Sequence, residues 1–137
     1  MAHMNQEKKA KIQALIKPVL AKYGVKGSLS VSNHSTIVLT LKSGKIDFIG
    51  NYNSTASKHP RYDETSFRQV VDYIDVNQYW YHEHFSGVAK KFLDEAYKAL
   101  RGADWFDESD SQNDYFHTAY YMDIMIGRWN KPYAYQA

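Results

Sequence analysis

The chain has 137 residues, enough for one hydrophobic core; Met1-Ala2-His3 reads as an expression scar, so 4–137 is expected to form a single domain. With 44% hydrophobic and 23% charged residues it is not a disordered chain, and a net charge of +2 is too small to call for nucleic acid by itself. The absence of Cys excludes disulfides, thiolate metal sites and a Cys nucleophile, and no apolar run approaches the roughly 20 residues of a bilayer span, so a cytoplasmic protein of a bacterial host cell with no membrane partner is expected.

Residues 5–23 carry Ile12, Leu15, Ile16, Val19, Leu20 and Tyr23 at helical spacing, with Gly24 as the stop. Pro18 conflicts with that helix and predicts a kink near Ala14 or a split into two pieces. Residues 28–32 alternate, Asn33-His34-Ser35 is turn-like, and Thr36 to Lys42 alternates again with Ile37, Leu39 and Leu41 on one face. After Ser43-Gly44, Lys45 to Ile49 reads as a third strand of a meander, with Ile46 and Phe48 inward.

Gly50 to Thr65 has the composition of a loop, and Asp63 or Thr65 could cap a short helix from Ser66 to Tyr73. Ile74 to Tyr81 reads as extended. Phe85 to Arg101 is the strongest helix, with Phe85, Val88, Phe92, Ala96 and Leu100 on one face and Gly102 as the stop. An acidic loop over 103–114 then feeds a strand from Thr118 to Ile126, with Tyr120, Met122, Ile124 and Ile126 on one side. The order predicts an α+β fold: an antiparallel sheet of about four strands with two or three helices packed on one face.

The chemistry-bearing patterns are sparse. His82 and His84 would share a face if extended, and His117 or Asp114 could complete a metal site, but the four-residue spacing of a zinc protease is absent. The acidic loop lacks the Gly of a calcium loop, and there is no nucleophile elbow or phosphate loop. The expectation is therefore no enzyme, no cofactor and no metal.

Aromatic content is the outlier, with 12 Tyr, 3 Trp and 6 Phe, which suits recognition surfaces. Tyr79-Trp80-Tyr81 near Lys90, Lys91 and Arg101 could offer rings and cations to single strands. Tyr52, Tyr62, Trp105, Asp107, Asp110, Asp114 and Tyr115 are the expected partner-binding residues, an aromatic and acidic surface for a basic partner. The alternative is a nucleic-acid module using Lys8, Lys9, Lys11 and Lys22 of the first helix.

Two segments carry a resemblance. They are Tyr79-Trp80-Tyr81-His82-Glu83-His84-Phe85, and Ser109-Asp110-Ser111-Gln112-Asn113-Asp114-Tyr115-Phe116 with Tyr120-Tyr121, Ile126-Gly127-Arg128-Trp129 and Lys131-Pro132-Tyr133. Together they resemble the large polyvalent protein-associated domain (type twenty-nine) family of phage and mobile-element proteins. The resemblance spans most of 5–133, and its end motif is the specific part. In it, Trp129 to Tyr133 would act as a strand-terminating staple. The resemblance brings no catalytic residues. It implies a phage or mobile-element accessory protein that acts by binding and inhibits or modulates a host defence system such as a CRISPR effector. The expected partner is a host protein or ribonucleoprotein complex, with nucleic acid as the alternative. A homodimer would be a natural way for the basic helix and acidic loop to meet.

Overall fold

Helix α1 (Gln6–Tyr23) starts at Asn5, whose Oδ1 accepts from the Lys8 amide at 2.8 Å. It ends at Gly24, held at φ 66, where any Cβ would also meet the Lys45 side chain at 2.9 Å. The computed structural model describes residues 2–58, 72–103, 105 and 119–136. The expected kink or split at Pro18 is not present: α1 runs through it as one element. Pro18 and Ala14 both lie on the exposed side, so the Ala14 carbonyl, which has no proline N–H to accept from, faces water. Ile12, Ile16 and Leu20 are the buried stripe.

Strands β1 (Val25–Ser32) and β2 (Thr36–Gly44) form an antiparallel hairpin. Asn33 and His34 both take positive φ, 53° and 56°, the geometry that matches strand twist in a tight hairpin. The expected third strand over Lys45 to Ile49 is replaced. Asp47 accepts from the Gly50 amide at 3.0 Å and caps helix α2 (Phe48–Ala56). This helix occupies part of the expected Gly50 to Thr65 loop. Its Gly, Asn, Ser and Thr residues are poor helix formers. Burial of Phe48 and Ala56 offsets that, as do bonds from the Ser86 amide to Asn51 Oδ1 (2.9 Å) and between the Thr55 and Ser86 hydroxyls (2.9 Å).

The remaining elements are β3 (Ile74–Val76), α3 (Tyr81–His84), α4 (Gly87–Leu100), β4 (Tyr121–Ile126) and β5 (Ala134–Tyr135). The expected helix from Ser66 to Tyr73 and the acidic loop over 103–114 lie largely outside the described residues.

The α+β class holds, with four helices and a five-stranded sheet among the described residues. The sheet is mixed rather than antiparallel: in the order β1-β2-β4-β3, β2 and β4 run parallel. The chain returns to β2 as β4 only after passing through the helices, and such a crossover allows parallel pairing where a tight turn would not. β5 pairs β2 in the same direction, beyond the end of β4.

One face of the sheet presents Leu29, Ile37, Leu39, Leu41, Ile124 and Ile126 to the core. The helices contribute Ile12, Ile16, Phe92, Leu93, Ala96 and Leu100 to the same cluster. Phe48 makes edge contacts with Phe85, Phe92 and Tyr133, at 6.4, 5.5 and 5.3 Å between centroids. Val88, expected on the core face of α4, is 53% exposed. Tyr133 acts as the staple: it is buried and its hydroxyl donates to the Ile46 carbonyl at 2.8 Å. Trp129, expected to pack with it, is instead 77% exposed.

Candidate functional site

Strand alternation sends every second side chain to the face away from this core. Ser30 on β1, Thr40 and Lys42 on β2, Tyr121 and Asp123 on β4, and Asp75 on β3 lie on that outer face. Asp75 is paired with Met125, so Asp123, two residues along β4, is its diagonal neighbour. Half-burial, then a hydrogen bond to Asp75 and the charge of Asp75, push the Asp123 carboxyl up to about 7, opposed by the Ile124 amide. A half-buried carboxyl beside a second carboxylate ionises only at a cost, so Asp123 keeps its proton to higher pH than an ordinary Asp.

The chain beyond β3 turns on Asn77, whose Oδ1 accepts from the amides of Tyr79 (2.9 Å) and Trp80 (3.2 Å). That turn leaves Tyr79 69% exposed, with Trp80 exposed beside it. A shallow cavity of about 270 Å³ runs past Asp75, Gln78, Tyr79 and Met122. The β3 corner thus combines exposed rings with an acid pair.

Tyr81, the third ring of that run, belongs to the fold. It packs 5.1 Å from Tyr97, its hydroxyl donates to Asp94, and desolvation followed by that hydrogen bond pushes it up to about 12.

Of the expected partner-binding residues, Tyr62, Asp107, Asp110, Asp114 and Tyr115 lie outside the described residues. Tyr52 and Trp105 sit at opposite ends of α4. Tyr52 packs on His84 and Phe85, both at 5.6 Å, ahead of α4. Trp105 follows α4, its Nε1 donating to the Tyr120 carbonyl at 2.8 Å beneath the Arg101 guanidinium.

The lysines of α1 are spread along the helix. Lys8 reaches the His3 carbonyl and the Tyr120 ring, and Lys22 pairs with Glu95 at 2.9 Å. Lys9 is half-buried and Lys11 exposed. The Glu95 carboxylate also accepts from the Tyr23 hydroxyl; that bond and the Lys22 bond hold it below the usual range.

His82 and His84 are in the helical turn α3, not a strand, so their ring directions diverge. His117 lies outside the described residues, which contain no group of three or more metal-capable side chains.

Sequence reasoning missed Asp75 and Asp123 as a pair, because they come from strands far apart in the chain. The available signal was Asp123 itself, a charge set between Met122 and Ile124 in an otherwise apolar strand. Among the described residues no helix is long and apolar enough to cross a membrane. No family model, curated protein or solved structure matches the chain.

Proposed function

We propose that this protein is a phage- or mobile-element-type accessory protein that acts by binding in the host cytoplasm and modulates a defence system such as a CRISPR effector. The observation that supports this reading is the β3 corner, where exposed Tyr79, Trp80 and Tyr121 accompany the Asp75–Asp123 acid pair. Rings with low conformational entropy beside a patch of one charge sign suit the surface of a basic host protein or ribonucleoprotein. The resemblance of the terminal segment to mobile-element proteins supplies the biological setting.

The test is phage plating on a host with an active CRISPR system. Expression of the protein should raise plating efficiency, and Tyr79→Ser/Trp80→Ser should abolish the rise while the variant still accumulates. No rise with the unaltered protein, or an undiminished rise with the variant, overturns the reading. Charge reversal of Asp107, Asp110 and Asp114 in the same assay tests the acidic loop as the contact surface instead.

A further inference from the structure

Between β4 and β5, residues 127–132 leave the edge of β2 and fold back on themselves. The Arg128 amide donates to the Lys131 carbonyl at 2.8 Å, and the Lys131 amide returns a bond to Arg128 at 3.1 Å. Gly127 makes the departure at φ 74, where a Cβ would lie 2.6 Å from the Tyr133 nitrogen.

The excursion borders a cavity of about 360 Å³ on the outer face of the sheet, lined by Ser28, Thr40, Lys42, Arg128, Lys131 and Pro132 among others. Three cations and two hydroxyls line it, and no carboxylate does. Among the described residues none of these cations has a carboxylate partner. Like charges gathered around one concavity repel each other and attract an anion. Trp129 stands at the tip of the same excursion with 77% of its surface in water, outside the core cluster.

From this arrangement we infer that the cavity receives phosphate groups of single-stranded nucleic acid while Trp129 stacks on an adjoining base. Arg128 and Lys131 flank Trp129 in the chain, so cations and ring are carried on one short turn. An exposed indole needs an unstacked base to face, which a single strand supplies and a duplex does not. The hydroxyls of Ser28 and Thr40 can donate to phosphate oxygens, a contact that carries no base preference. The surface shares no residue with the β3 corner and none with the lysines of α1.

The experiment is fluorescence anisotropy of a labelled oligothymidylate of about 12 nucleotides titrated with the full chain, repeated across a salt series. Binding at low salt should weaken with a log–log slope of about −2, as expected for three single-strand phosphate contacts. Arg128→Ala/Lys131→Ala should weaken binding on the order of tenfold or more, and Trp129→Ala on the order of tenfold. Trp129→Ala should also remove most of the tryptophan quenching that the oligonucleotide causes. All three side chains are exposed, and circular dichroism checks that the variants fold. Replacement of Lys8, Lys9, Lys11 and Lys22 by Ala should leave the affinity unchanged.

Absence of binding at low salt overturns the inference. So does an affinity that the excursion variants do not alter, a loss confined to the α1 variant, or tighter binding of the matching duplex. Equal competition by thymidine monophosphate would assign the cavity to mononucleotides and overturn it as well.

Discussion

Asp123 is the residue whose protonation the fold alters most usefully. Its carboxyl is raised from 3.8 to about 7, so the folded chain holds a proton that the unfolded chain releases at lower pH. The sign follows from linkage: between those values the native state binds more protons, so stability falls as pH rises through the window. The penalty is absent below about pH 4 and complete above about pH 7. Solvent screening of a half-exposed pair reduces it to about 1 kcal/mol. Asp123→Asn, which keeps a donor for Asp75, should therefore raise stability by about 1 kcal/mol at pH 8 and flatten the decline between pH 5 and pH 8 in denaturant titrations. Tyr97 makes a second case at this scale. Its hydroxyl is buried with no hydrogen-bond partner among the described residues, and desolvation followed by the Asp123 charge raises its pKa further. Tyr97→Phe removes an unsatisfied polar atom while keeping the ring against Tyr81, so thermal unfolding should move upward, by about 1 kcal/mol in stability.

Elements with a strong internal period were legible in the sequence. The apolar stripes of α1 and α4, the turn at Asn33-His34-Ser35 and the alternation of β4 all gave elements near their observed positions. α2 was hidden because its sequence favours a loop and its stability comes from tertiary partners: the Phe48 ring contacts and the Asn51–Ser86 and Thr55–Ser86 bonds. β5 was hidden by its length of two residues, too short to show a period. α1 makes the reverse error instructive. Pro18 argued for a break, yet three buried residues in one stripe hold the helix together across it. Pro18→Ala should restore the missing bond to Ala14 and stabilise the protein by about 1–3 kcal/mol, read from the denaturant midpoint. No gain in midpoint would mean that the helix has already relaxed around the ring.

Across the whole molecule, what the sequence withheld was pairing. Alternation sorts residues onto two faces but does not say which strand lies beside which, so neither the β2–β4 parallel contact nor the Asp75–Asp123 juxtaposition was readable. The sheet order has a measurable consequence: among the described residues β2 and β4 are flanked on both sides, while β1 and β3 each pair on one side. Hydrogen exchange should be slowest for the amides of Leu39, Leu41 and Ile124, and β1 and β3 should exchange sooner. Exchange of β2 as fast as β1 would contradict that order.

The excursion over 127–132 has a further consequence. The chain leaves β2 where the Gly127 amide bonds the Leu41 carbonyl at 2.8 Å. It rejoins at Ser43 and Gly44, with the Gln136 amide on the Gly44 carbonyl at 2.7 Å and Tyr133 fixed from both its amide and its hydroxyl. Both ends are fastened to the same strand edge independently of what lies between them. The segment between these anchors, 128–132, is therefore an exchangeable cassette whose length and side chains can diverge, or be grafted, while Gly127 stays glycine because of its φ of 74 and its close approach to Tyr133. A lineage could retarget this protein by rewriting a few codons there.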